Sequence, residues 1–174
     1  MSATAPAKPQ ADEYAESYGK YISLVPEGDV VETLSTQLAE TLALLRSIPE
    51  ERAGHAYEPG KWSIRQLVGH VIDGERVFAY RALAIARGDR ASLPGMEQDE
   101  YMEHARFDER TLESLCEELG HVRRANVLMM RGFDAEAWAR RGVASDNEVT
   151  VLALAHIIAG HELHHVNVLR ARYL

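Results

Sequence analysis

One cysteine, Cys116, stands in a chain of 174 residues. No intrachain disulfide can form, and nothing in the cysteine content calls for an oxidising compartment. Basic residues are also in short supply. Nineteen Lys and Arg face 27 Asp and Glu, and the resulting formal charge of −8 disfavours DNA, RNA or anionic lipid as partners, because phosphate contacts need a concentrated basic face. No nucleic-acid partner is expected. Long apolar runs are missing too: the richest stretch, Val149 to Ala159, is interrupted by His156. It falls well short of the ~20 residues a membrane-crossing helix needs. The opening MSATAPAKPQADE has no basic end followed by an apolar segment, so it does not read as a secretory signal, and a cytoplasmic location is expected. No run alternates as a strand would, and no internal repeat is visible.

What is present is helical periodicity. Residues 1–13, rich in Ala, Pro and polar side chains, read as a disordered tail, leaving residues 14–174 for one domain. Val31, Leu34, Leu38, Leu42 and Leu45 recur at helical spacing up to Pro49. A second helix has a clear start: Ser63 is placed to cap, Gln66 to close a capping box, and Trp62 with Leu67 to form a hydrophobic staple. It runs to Gly88. Asp108 is placed to cap a third helix with a stripe of Leu112, Leu115, Leu119, Val122 and Met129, and a fourth runs from Thr150 almost to Leu174. Four such helices predict an all-α four-helix bundle. The link 89–107 is long for a bundle loop, which predicts a crossover between helices 2 and 3.

The chemistry concentrates in HIIAGHELHHVNVL near the C-terminal end. At about 100° per residue, His161 and His165 stand one turn apart on one face, so both rings can reach one ion. Leu154, Ile157, Ile158, Val168 and Leu169 share that stripe, which points the rings inward. A third ligand must come from another helix, and His70 lies on the inward face of helix 2. It sits ~10 Å from that helix's start, while the His161/His165 pair is ~14 Å from the end of helix 4. If helices 2 and 4 run antiparallel, the three rings are level; if parallel, His70 misses by about two turns. Three neutral imidazoles leave a position open for water or substrate, as in catalytic zinc sites. Zinc or nickel is the leading choice, with iron, cobalt and manganese also suited to imidazole.

Other residues carry weaker signals. His164 is a pocket wall, a supporting residue or an alternative ligand, and Arg81, in line with His70, is a candidate to grip a substrate carboxylate bidentately. His156 faces elsewhere and reads as ordinary; His55, His104 and His121 lack supporting spacing, though His55 and His104 lie in connections that can border a pocket; and Cys116 reads as a packed or partly exposed thiol. Glu75 and Arg76 read as charges solvated or paired along their own helix. The string His161-Glu162-Leu163-His164-His165 satisfies HExxH, in which the glutamate serves a zinc peptidase as general base. The extended pattern would need Gly and His where Val168 and Ala171 stand, so peptidase is a minor alternative.

Three segments, KWSIRQLVGHVIDGERVFAYRALAIARGD, LPGMEQDEY and AHIIAGHELHHVNVL, together resemble the DinB/YfiT-like superfamily of metal-binding four-helix bundles. That resemblance implies an up-down-down-up topology and a divalent ion held by His70, His161 and His165. It also implies a thiol-dependent S-transferase-like activity, in which the metal activates a low-molecular-weight thiol toward a small electrophile. The alternatives are a metal-dependent hydrolase and a non-catalytic metal-binding stress-response protein. A small-molecule substrate and a homodimer complete the expectations.

Overall fold

The computed structural model describes residues 8–174. In chain order the main elements are the single turn α1 (Gly19–Ile22), α2 (Val30–Arg46), α3 (Ile64–Ala86), β1 (Ser92–Leu93), α4 (Gln98–His104), α5 (Leu112–Arg131), α6 (Ala135–Ala139), β2 (Arg141–Ala144), β3 (Asn147–Thr150) and α7 (Val151–Arg172). No helix among the described residues is long and apolar enough to cross a membrane.

Each long helix starts where a side-chain oxygen can take up orphan amides. Asp29 accepts from the amides of Val31 and Glu32, Ser63 and Gln66 form a reciprocal box, and Thr150 accepts from the amide of Ala153. Helix α5 departs from expectation. Residues 107–109 form a tight 3-10 turn, which puts Asp108 too early to cap, so Thr111 accepts from Ser114 instead. Asp108 accepts a 2.6 Å hydrogen bond from the Ser63 hydroxyl and ties the starts of α3 and α5 together.

Contacts at the helix ends set directions. Ser63–Asp108 near the starts and Glu75–Arg123 further along pair α3 and α5 in the same order. Arg46–Glu113 and Arg131–Glu32 pair α2 with α5 in opposite order. The Tyr173 hydroxyl donates to the carbonyl of Trp62, and Arg140, just before the hairpin leading into α7, donates to the carbonyl of Ala86, so α7 runs against α3. The link between α3 and α5 spans the length of the bundle because both point the same way.

The all-α bundle carries one small sheet, which corrects only the expectation that no strand forms. β1 pairs parallel with β2, which pairs antiparallel with β3 through a two-residue turn in which Ser145 and Asp146 both have positive φ. Strands of two and four residues are too short to show alternation. The disordered tail expected over residues 1–13 also needs correcting. Pro9 is buried and Arg141 bonds both the carbonyl and the carboxylate of Asp12, so residues 8–13 pack against the hairpin; residues 1–7 lie outside the described residues.

Helix α7 is central rather than striped: every residue from Val151 through Glu162 is buried, as befits a helix enclosed on all sides. The apolar core falls into two halves. One gathers Leu34, Phe78, Ile85, Met130 and Leu154, the other Leu45, Ile64, Leu115, Leu119 and Leu169. Between them, at mid-height, lies a layer of buried polar side chains: Gln37, Glu75, Arg123, His161 and Glu162.

Candidate metal centre

His70 of α3 and His161 and His165 of α7 meet in this layer. The Nε2 atom of His161 is 3.0 Å from that of His70 and 3.1 Å from that of His165, and all three ligand atoms lie within 4.8 Å of one another. Two nitrogens bonded to one ion at ~2.0–2.1 Å take up separations of this size. Hydrogen bonding alone serves the cluster poorly. A neutral ring nitrogen is either one donor or one acceptor, so Nε2 of His161 satisfies only one of its two neighbours. A cation between three lone pairs satisfies all of them.

Packing sets the rings. His70 lies beneath the Trp62 ring at 4.7 Å between centroids, and its Nδ1 has no hydrogen-bond partner among the described residues. His161 is met edge-on by Tyr21 and Phe78. Two glycines make room. A methyl on Gly74 would sit 2.9 Å from Cε1 of His161, and one on Gly160 would sit 2.1 Å from the carbonyl oxygen of Tyr21. Gly160 therefore lets α1 lie directly on α7 and bring Tyr21 over the histidines.

Burial keeps the rings neutral. It lowers His70 to about 4, against a small opposing pull from Asp99, and lowers His165 to about 3, helped by the neighbouring rings. His161 is pushed well below the ordinary value by burial and then by His165 and His70. Neutral imidazoles present the lone pairs that a metal takes. The chemistry of the donor set, three convergent neutral nitrogens on rigid helices, fits a divalent ion.

Two cavities approach the cluster from different sides. One, of about 150 Å³, is bounded by His70, His161, Phe78, Arg81, Gln98 and Ser145. The other, of about 390 Å³ and open to solvent, is bounded by Trp62, Gln98, Asp99, His164, His165 and Tyr173. His164 is thus a pocket wall, half-buried against the edge of Tyr21. Arg81 lines the smaller cavity, 3% exposed, with Nη2 donating to the carbonyl of Pro94 and to Oγ of Ser145.

The HExxH reading is overturned by Glu162. Its carboxylate points away from the histidines and accepts from Nη2 of Arg123 at 2.5 Å and from Gln37 at 2.6 Å. A residue adjacent to His161 in sequence is turned about 100° from it on the helix, which sends it onto a different side of α7. Arg123 also holds both oxygens of Glu75, at 2.8 and 2.9 Å. The expectation that Glu75 is solvated or paired along its own helix fails: it is 2% exposed and paired across to α5. Sequence reasoning missed this network, and its signal was three charges, Glu75, Arg123 and Glu162, each on an inward face. Cys116 is fully buried and its thiol is pushed up to about 11, first by burial and then by Glu113, so it is no nucleophile. His156 is buried with Nδ1 3.0 Å from the carbonyl of Leu152. The remaining histidines stay outside the cluster.

A bundle of four long helices, with three histidines from two antiparallel members converging beside open cavities, defines a class of helical proteins built around a candidate metal centre. Comparison with known proteins places this chain within that class. The chain belongs to the DinB superfamily, whose family model matches residues 33–169. It is 32% identical over 72 residues to a protein of Oceanobacillus iheyensis to which metal-dependent hydrolase activity is ascribed by name; the match spans 41% of this chain and 39% of that protein. Among solved structures it resembles YfiT from Bacillus subtilis, described as having an unusual four-helix bundle topology and ascribed metal-dependent hydrolase activity. The TM-score is 0.68 at 15% identity, over 94% of this chain and 91% of that one. It also resembles a mycothiol-dependent maleylpyruvate isomerase, with a TM-score of 0.63 at 13% identity over 79% of this chain and 58% of that one. At these identities the two structures speak to the fold.

Proposed function

We infer that the protein is a metalloenzyme in which His70, His161 and His165 hold one divalent ion, zinc or nickel, that activates a low-molecular-weight thiol for transfer to a small electrophile. The observation that carries the metal centre is the convergence of three neutral Nε2 atoms in a buried layer. When bound, such an ion lowers the pKa of a coordinated thiol or water and so supplies a nucleophile near neutral pH.

The chain's own residues supply the rest. Trp62, Tyr21 and Phe78 fix the ring orientations, and the two apolar halves of the core flank the layer in which the rings sit. Two cavities reach the histidines, and Gln98 borders both. That arrangement suits two organic reactants: the open cavity beside His164 and His165 admits one, and the small one beside Arg81 receives the other. The accessible cavities favour turnover over a purely structural ion.

Hydrolysis by metal-activated water is the second reading, favoured by the similarity to the Oceanobacillus iheyensis protein. One experiment separates the two. Zinc- or nickel-loaded protein is offered monochlorobimane with a panel of thiols, and in parallel a set of activated esters and amides without thiol. Thiol-dependent loss of the electrophile, abolished in His161→Ala, supports transfer. Turnover of esters with no thiol requirement assigns hydrolysis, and inactivity in both arms sinks the enzymatic reading.

A further inference from the structure

Arg81 poses a problem that its protein partners do not solve. It is a cation 3% exposed, on a helix facing the interior, and among the described residues no carboxylate pairs with it. The two other buried charges of α3 and α5, Glu75 and Arg123, compensate each other. A buried guanidinium without a counter-charge is costly. Of its five N–H donors only those of Nη2 have protein acceptors, the carbonyl of Pro94 and Oγ of Ser145; Nε and Nη1 have none among the described residues. The Phe78 ring flanks the group, with Cζ 5.5 Å from its centroid.

The space beside Arg81 is the cavity of about 150 Å³ whose far wall is made of His70 and His161. None of the residues bordering it is acidic: besides the histidines they include Tyr18, Tyr21, Phe78, Met96, Gln98 and Ser145. The cavity is thus neutral except for one cation, with an apolar wall from Phe78 and Met96. Its volume of about 150 Å³ gives room for a small organic acid. The two-residue hairpin turn, with φ 51° at Ser145 and 60° at Asp146 as a tight hairpin requires, sets the Ser145 hydroxyl 3.1 Å from Nη2 of Arg81.

We propose that this cavity is a carboxylate subsite: Arg81, oriented by Ser145 and the Pro94 carbonyl, binds the carboxylate of a small organic acid and directs its other end at His70 and His161. The substrate class is then a short carboxylic acid whose reactive carbon lies a few bonds from the carboxylate. The direction toward the histidines rests on the metalloenzyme reading; the anion subsite itself does not, because its charge comes from Arg81 alone.

The test therefore uses metal-free protein, with metal retention measured separately by elemental analysis. Propionate, propionamide and inorganic phosphate are titrated into uniformly labelled protein and followed by NMR. Propionate is expected to saturate with shifts at Phe78, Met96 and Ser145 and to bind at least tenfold more tightly than propionamide. Arg81→Gln is expected to weaken propionate at least tenfold and leave propionamide unchanged. Equal binding of acid and amide, or full propionate affinity in Arg81→Gln, overturns the proposal, and phosphate binding more tightly than propionate overturns the carboxylate class. If Arg81→Gln fails to fold, the wild type decides: NOEs from the propionate methyl to the Phe78 ring and Met96 methyl support the subsite, and NOEs confined to other residues refute it. Loss of metal binding with propionate affinity intact would sink the metal centre and spare this subsite.

Discussion

Two polar clusters share the middle layer of the bundle, on different sides of the same turn of α7. On one side Arg123 donates to Glu75, to Glu162 and to the carbonyl of Leu34, and Gln37 donates to Glu162, so a cation and its donors meet two carboxylates. On the other side three imidazoles of the same kind face one another, and Nε2 of His161 can satisfy only one of its two neighbours. Both are buried, and both interrupt an apolar core. The difference is complementarity: on one side opposite charges hold one another across three helices, and on the other like groups converge on one point, where one ring nitrogen stands between two. His161 and Glu162 are neighbours in sequence, and the turn of the helix alone assigns one to each side.

The comparison breaks most easily at Arg123. Arg123→Met leaves two carboxylates buried without a counter-charge, and removing one member of a buried ion pair costs about 3–5 kcal/mol. Chemical denaturation of the metal-free protein should show a loss of that order. A loss near zero would mean that the network is not a structural unit.

The histidine side should behave in the opposite way. His161→Ala is expected to abolish metal retention, and His70→Ala and His165→Ala to lower affinity at least ~100-fold, since each removes a third of the ligand set. In metal-free protein the same changes should cost little stability. Added zinc should raise the wild-type midpoint, by an amount equivalent to ~2.7 kcal/mol at a hundredfold excess over Kd, and leave His161→Ala where it was. Elemental analysis and thermal melts read both effects; wild-type metal content in any of the three variants would contradict the assignment.

Glu162→Gln sharpens the contrast between the neighbours. The carboxylate is a partner of Arg123 and faces away from the ligand atoms, so the variant should lose about 1–3 kcal/mol of stability and keep its metal. A zinc-peptidase role would give the reverse: full stability and loss of hydrolysis. Gly74→Ala is subtler. Its methyl would press on Cε1 of His161 at 2.9 Å, so metal affinity should fall about tenfold through displacement of the ring, with a smaller change in folding.

The smallest effect is on pH dependence. Unfolded histidines take up protons below about 6.5, while folded His70 resists until about 4 and His165 until about 3. Because the folded-state values are lowered, their contribution is complete above pH ~6.5 and is lost as pH falls from there toward 4 and then 3. The metal-free wild type should therefore lose stability more steeply over this window than His70→Gln. Equal slopes would mean that the ring is not held neutral.

How much of this could be read in the chain follows the same division. The histidine cluster was legible because His161 and His165 repeat at one helical turn and His70 falls at a matching height on a helix with an unambiguous start, the Ser63–Gln66 box. The compensated network was not legible. Arg123 and Glu75 lie 48 residues apart, and a single charged residue on a helix reads as solvated until its partner's position is known. The hairpin, with strands of four residues, carries no periodic signal, yet it places Ser145 against Arg81. The start of α5 was misread by three residues because Asp108 and Thr111 are both good caps, and only the 3-10 turn between them decides.

The most direct test of the account is X-ray absorption at the metal edge of protein purified without added ions, together with its metal content. The account predicts one divalent ion per chain, with the multiple-scattering pattern of three imidazoles at ~2.0–2.1 Å. An oxygen-only shell with no imidazole scattering, or metal at trace occupancy that zinc and nickel fail to restore, would contradict it.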